Sequence, residues 1–436
     1  MSPEISLIIL LGGFAVLFAL GVPLAIALLL SSVAVILFDP ALDMVVVAMR
    51  IYSGIDSFVL LAIPGFMFSA FVMNRIGVTE DIVAVSDMLV GRIRGGLGHV
   101  NVVSSMLMGG VSGSSTADVA GEGVIIIPAM IQKGYDKGFT AAITAASSTI
   151  GNIIPPSILM VIYGAVANVS VGALFIAGYI PGILVGLQQF AITYYYAVKE
   201  GIGGQSRLWG KGERKRILIR GLAPLSLMVV IIGGIVGGVV TATEAAGLAA
   251  VWVIVLDLGV YRRLSWKVIH EVALETGLLT AVVMLCVGTA TLFGWLMAYY
   301  EVIDAAEKVI GYFTYDLHVF LIVVIVIFLI LGTFMDPAPA MMIFVPVLVP
   351  FADKLGVHPL HLGIIVVMTM DIGKITPPYG ISLLMACSIA RIPLTESLHW
   401  TLVFFIAFVL LLLAIVFWPE LVLFLPRLLV PKFVGN

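Results

Sequence analysis

The stretch IGNIIPP at residues 150–156 returns as IGKITPP at residues 372–378, in a chain whose residues are 61% hydrophobic. Each copy sets a glycine, Gly151 or Gly373, and a proline pair, Pro155 with Pro156 or Pro377 with Pro378, into an apolar run. Glycine weakens a helix, and proline removes a backbone donor and clashes with the preceding turn, so both copies read as broken helices. Unwound backbone inside a bilayer is tolerated only where it lines a cavity or is buried in protein. Two such breaks in corresponding places fit discontinuous helices that meet at a midplane substrate site, the arrangement of a transporter.

Only 11% of the residues are charged and the mean hydropathy is +1.20, far outside the range of soluble domains. The chain is therefore read as polytopic and embedded in a lipid bilayer. Its first apolar block, from about Ile5 to Phe38, lacks a basic leader and is interrupted only by Gly21 and Pro23, which reads as two retained spans. The two cysteines, Cys286 and Cys387, lie in apolar segments and propose neither a disulfide framework nor a metal site. Seven of the 22 basic residues fall between positions 199 and 220, so that loop is placed in the cytoplasm. Walking outward from it puts 16 basic residues inside and five outside (Arg50, Lys308, Lys354, Arg427 and Lys432), with Lys374 in the membrane and both termini outside the cytoplasm. A nucleic-acid role for the basic loop lacks aromatics for stacking and any binding fold.

The same loop divides the chain into halves that read in the same order. Residues 1–200 form the first repeat, 201–215 a basic cytoplasmic linker and 216–436 the second repeat. Each half offers three spans, an over-long apolar segment with breakers near its middle, a broken helix and a final span. The interrupted segments, about 97–132 and about 318–351, read as re-entrant hairpins. The broken helices cover about 138–168 and about 358–391. Five crossings per half force the halves into opposite orientations, so the fold class is an all-α polytopic membrane protein with an inverted-topology repeat.

The run GGVSGSSTAD at 109–118 gathers four hydroxyl residues, Ser112, Ser114, Ser115 and Thr116, beside three glycines at the first hairpin tip. Hydroxyls and freed carbonyls are hard oxygen ligands suited to Na⁺, while helix N-termini suit a carboxylate. Small residues also serve helix packing, and that reading competes for each serine taken singly. At the second tip stands GTFMDP, residues 332–337, whose Asp336 is a functional candidate because a carboxylate in the membrane is costly. Asp371 and Lys374, three positions apart around Gly373, read as an ion pair, with attraction of an anionic substrate by Lys374 as the alternative. Neither a Walker A pattern nor HExxH occurs, which leaves no motif for an ATP-driven pump or a membrane zinc protease. A channel is the competing transport class, separated from a carrier by whether flux saturates and needs a co-ion.

Taken together, GIDSFVLLAIPGF (54–66), SGSSTADVA (112–120), GNIIPPS (151–157), FIAGYIPG (175–182), TATEAAGLAA (241–250), GTFMD (332–336) and GKITPPYG (373–380) resemble the large membrane subunit of tripartite ATP-independent periplasmic (TRAP) transporters. The resemblance runs over the whole chain. It implies an elevator-type ion-transporter superfamily fold, with two hairpins and two broken helices carried against a scaffold. It implies a secondary transporter, not an enzyme, that uses no cofactor and imports a small organic acid, such as a C4-dicarboxylate or sialic acid, with Na⁺. The implied partners are a separate small membrane subunit and an extracytoplasmic substrate-binding protein, in a bacterial inner membrane. An anion carrier coupled to protons or sodium and working without a binding protein is the alternative. Carried over by motif position, one sodium site falls at Gly109, Ser112, Gly151, Ile154 and Pro156, and the other at Gly332, Gly373, Thr376 and Tyr379. Substrate contacts fall at Ser114, Ser157 and Asp336. Asp118, Glu122, Asp371 and Lys374 depart from the family's pattern around these positions.

Overall fold

A computed structural model describes residues 3–204, 210–301 and 316–434. Arg207 of the basic loop and Lys308 lie outside the described residues. Every regular element among those described is helical.

The first half opens with α1, an apolar helix over Ile5–Ala19, and α2, Leu24–Phe38. At 15 residues and about 1.5 Å per residue, α2 is about 22 Å long, short of a 30 Å hydrocarbon core on its own. An additional helix, α3 (Val45–Ile55), precedes α4 (Phe58–Arg75), and α5 (Val78–Val90) follows it. Neither α3 nor α5 stands out as a span in the sequence. The first hairpin is α6 (Gly96–Ser112) and α7 (Ser115–Gln132), closed by Gly113 at φ +61°, a left-handed conformation that glycine adopts without a Cβ clash. The first broken helix is α8 (Lys137–Ile153), started by the Asp136 carboxylate accepting from Phe139 N, followed by α9 (Ile158–Val166) at a bend of 46°. The 29-residue α10 (Val171–Lys199) ends the half.

The second half runs through α11 (Gly212–Val236), α12 (Ala242–Tyr261) and α13 (Trp266–Tyr299). With 34 residues, α13 is about 50 Å long, more than the 271–299 span evident in the sequence. The second hairpin is α14 (Leu317–Phe334) and α15 (Pro337–Lys354), the second broken helix α16 (Pro359–Gly373) and α17 (Ile381–Ala390). The long α18 (Leu394–Phe417) and the short α19 (Glu420–Leu429) close the chain. Among the described residues eight helices are long and apolar enough to cross a membrane, and α8 with α9 adds a bent ninth.

By length alone α14 and α15 are each able to span. Their tip packs on Gly373, the last residue of α16, so the turn between them lies against the second break. The packing is reciprocal between the halves. The segment after the first break, α9, lies on α15 of the second hairpin, and the segment after the second break, α17, lies on α7 of the first. That exchange is what a two-fold relation between inverted halves produces, and it locks the hairpins and broken helices into one bundle. Outside it, α13 packs against α2, α3, α4 and α15, and α4 against α12.

Candidate functional site

The prolines act on the backbone in a countable way. In an α-helix the carbonyl of residue i accepts from the N–H of residue i+4. For Gly151 and Asn152 those positions are Pro155 and Pro156, and for Gly373 and Lys374 they are Pro377 and Pro378, so four carbonyls lose their helical donor. In the second break replacements exist: Thr376 N donates to Gly373 O at 3.0 Å, and Ser382 N to Lys374 O at 3.1 Å.

Against each break lies the glycine of a hairpin tip. A methyl group on Gly109 would stand 3.1 Å from Gly151 Cα, 3.3 Å from the Ile150 carbonyl oxygen and 3.3 Å from Ile154 Cβ. One on Gly332 would stand 3.0 Å from Gly373 Cα and 3.2 Å from the Met370 carbonyl oxygen. The first tip also closes on the unwound segment, since any Cβ on Gly113 would run into the Pro156 carbonyl. Hence Gly109, Gly151, Ile154 and Pro156 share one place, and Gly332 and Gly373 another. Thr376 donates its hydroxyl to Ile372 O at 2.7 Å, and Tyr379, 59% exposed, lines a small cleft with Gly332, Thr333, Asp336 and Lys374.

Ser112 donates its hydroxyl to one oxygen of Asp118. The other oxygen, Asp118 Oδ2, is buried without a partner and lies where a Cβ on Gly151 would stand. Ser157 is fully buried and caps α9, accepting from Met160 N at 3.3 Å, whereas Ser114 is half-buried with Thr116 Oγ1 at 3.2 Å. Asp336 is not packed away as its place in a membrane hairpin suggests. It stands open at the tip and caps α15, accepting from Ala338 N at 3.2 Å.

The charged departures converge. Lys374 Nζ lies 3.2 Å from Asp371 Oδ1, the expected ion pair, and donates to Ser115 Oγ at 2.9 Å. Asn152 Nδ2 donates to the same Asp371 oxygen at 2.6 Å and to Ser115 Oγ at 3.0 Å. Asp371 and Asn152 are buried, and so is Lys374, which nonetheless reaches the cleft at the second tip. Lys374 therefore bonds to the first hairpin tip and lines the cleft at the second. Ser115 was among the hydroxyls noted at the first tip, but Asn152 was missed in the sequence, although it occupies in IGNIIPP the place that Lys374 holds in IGKITPP. The aligned motifs carried that signal.

Four helices, α7, α9, α15 and α17, begin at these tips and breaks, α7 beside α9 and α15 beside α17, which brings the positive ends of their dipoles to the tips and breaks. Freed carbonyls, hydroxyls and an unpartnered carboxylate oxygen offer hard ligands to a small cation, while helix N-termini and an ammonium suit an anion. Both chemistries meet within one bundle.

A model of the family described as tripartite ATP-independent periplasmic transporter, DctM component, matches residues 11–421. The chain is 34% identical over 417 residues to the sialic acid TRAP transporter large permease protein SiaM of Vibrio cholerae, covering 96% of this chain and 97% of that one. It is 36% identical over 402 residues to the C4-dicarboxylate TRAP transporter large permease protein DctM of Pseudomonas aeruginosa, covering 91% and 92%. The crystal structure of the Alcanivorax borkumensis YdaH transporter, described as having an unusual topology, superposes with a TM-score of 0.58 at 15% identity, over 85% of this chain and 86% of that one. That last likeness concerns the fold.

Proposed function

The chain belongs to the TRAP transporter family as its large membrane component, and from that premise we propose that it imports a small organic acid together with Na⁺. The observation that carries the reading is the doubled contact of tip glycine with break glycine, Gly109 on Gly151 and Gly332 on Gly373, beside carbonyls whose helical donor positions are taken by prolines, which have no N–H to give. Each gives a place where backbone oxygens meet without a side chain between them, which suits Na⁺. Gly109, Ser112, Gly151, Ile154 and Pro156 would form one ion site, and Gly332, Gly373, Thr376 and Tyr379 the other.

The substrate carboxylate would lie between the tips, near Ser114, Ser157 and Asp336, facing helix N-termini. Relatives named for sialic acid and for C4-dicarboxylates support a carboxylate as the common group. In this reading the interlocked hairpins and broken helices move as one body against a scaffold that includes α4, α12 and α13, an elevator motion. A small membrane subunit would complete the scaffold, and a periplasmic binding protein would deliver the substrate at a bacterial inner membrane.

Proteoliposomes containing this chain, its small subunit and the binding protein test the proposal. Uptake of the acid held by that binding protein is expected only with an inward Na⁺ gradient and is expected to saturate. Equal uptake in choline chloride would overturn sodium coupling.

A further inference from the structure

Far from the tips and breaks, the start of α11 carries charges that gather around a space. Over ERKRILIR, residues 213–220, charge gives way to apolar residues, and Lys215, Arg216 and Arg220 line one cleft of about 500 Å³ between α11 and the end of α12. Ile219 and Val260 make its apolar side. Gly212 and Gly259 border it as well, and a Cβ on either would meet no atom within 4 Å, so the cleft is open where those two helices face each other.

The walls are fixed by contacts that leave most of this charge unspent. The Tyr261 hydroxyl donates to the Arg220 carbonyl, the Arg220 guanidinium lies over the Tyr261 ring at 5.2 Å, and Arg220 Nε is 3.3 Å from Asp81 Oδ2 on α5. Gly221 seats α11 on α5, since a Cβ there would run into Val85. Asp81 thus balances Arg220. Lys215 and Arg216 are exposed and paired with no carboxylate among the described residues, and no acid lines the cleft.

We propose that this cleft binds the phosphodiester headgroup of an anionic phospholipid from the cytoplasmic leaflet. Place selects that occupant over a free anion. The basic loop marks the cytoplasmic side, and α11 is long and apolar enough to cross the membrane from there. Beside and beyond the cleft Leu218, Ile219 and Leu222 are exposed on α11, as is Leu258 on α12. Acyl chains therefore lie along the same wall that carries the charges at its head, whereas a phosphate ion uses the charges alone. Lysine offers the phosphate a point charge, and arginine a planar fork of N–H donors that matches its oxygens. Arg220 and Gly221 join α11 to α12 and α5, so a headgroup seated on them steadies that junction. Neither the transported ion nor the substrate enters the inference.

The test uses the purified full chain, delipidated in neutral detergent, alone and with its small subunit, titrated with phosphatidylglycerol, phosphatidylcholine or sodium phosphate at one ionic strength. Retained lipid is read by native mass spectrometry and stability by thermal unfolding. Expected are retention of phosphatidylglycerol and a raised melting temperature, with neither effect from phosphatidylcholine or phosphate. Replacing Lys215→Gln and Arg216→Gln together should raise the half-saturation for phosphatidylglycerol at least about ten-fold. Arg214→Gln removes a neighbouring charge that does not line the cleft and should bind as the unsubstituted chain does. An equal loss in Arg214→Gln reduces the effect to the general charge of the loop and overturns the site. Equal retention of phosphatidylcholine, or protection by phosphate that matches the lipid, overturns the lipid assignment. Loss of the lipid on adding the small subunit overturns it in favour of a protein contact. If the double variant fails to fold, Gly259→Phe decides: it keeps every charge and fills the opening, so lost lipid supports the proposal and retained lipid overturns it.

Discussion

Asn152 and Lys374, which hold the same place in the two copies of the broken-helix motif, meet on a single oxygen, Asp371 Oδ1, at 2.6 and 3.2 Å. The repeat is closed at its centre by side chains from both halves, and Ser115 of the first hairpin joins them. The relationship has a mechanical consequence. The first hairpin and both breaks are tied at one buried point.

Removing one partner of that tie should therefore be worse than removing the charge on both sides. Lys374→Met leaves a buried carboxylate with only neutral donors, at a cost of about 3–5 kcal/mol, and is expected to lower the melting temperature in detergent and the yield of folded protein. Lys374→Met combined with Asp371→Asn is expected to recover most of the loss. Equal melting of the single and double variants would mean that Asp371 is not left as a charged group when Lys374 is removed.

The glycine contacts predict a ranking. Gly109→Ala and Gly332→Ala each push a methyl to about 3 Å from a Cα on the facing break, an overpacking of about 1–3 kcal/mol set where ion coordination is proposed. Gly247→Ala on α12 meets no atom within 4 Å and is the control. Na⁺-dependent uptake should fall sharply in the first two variants and stay at the wild-type rate in the third. Ser112→Ala, which removes one hydroxyl and leaves the backbone in place, should lie between them. Loss of sodium dependence in Ser112→Ala with silent glycine variants would contradict coordination by the breaks.

The breaks, the hairpin tips and their order were legible because glycine and proline act on their own stretch of backbone, whatever surrounds it. Partnership across the chain was not. Nothing local in ILMVIYGAV says that α9 will lie on α15, or that α17 will lie on α7, because that choice is made by the packing of whole bundles. For the same reason the Asp371–Lys374 pair was visible in the sequence, but its meeting with Asn152 and Ser115 of the first half was not. Helices such as α3 and α5 were overlooked because they are too short to span and carry polar residues that read as loop.

Sidedness follows from the basic loop and is open to chemical labelling. With Cys286 and Cys387 replaced, a cysteine at exposed Gly203 should resist a membrane-impermeant thiol reagent in intact cells, and one at exposed Asp43 should react. The reverse pattern would turn the molecule over. Reaction at both positions would break the count of crossings between α3 and the linker.

Asp336 offers the cleanest separation of fold from function. Its side chain caps α15 through Ala338 N, and asparagine caps a helix about as well as aspartate, so Asp336→Asn keeps the tip folded. What the substitution removes is one negative charge from a cleft that also contains Lys374, Tyr379 and Gly332. If that charge attracts Na⁺ or accepts hydrogen bonds from the substrate, transport should fall at least ten-fold, the effect of about 1.4 kcal/mol, with melting temperature and assembly with the small subunit unchanged. Asp336→Ala removes cap and charge together, and should cost about 1 kcal/mol of stability besides. Near-normal transport in Asp336→Asn with a destabilised Asp336→Ala would make Asp336 a cap alone, and would leave Lys374 and the helix N-termini as the electrostatic guides at the second tip.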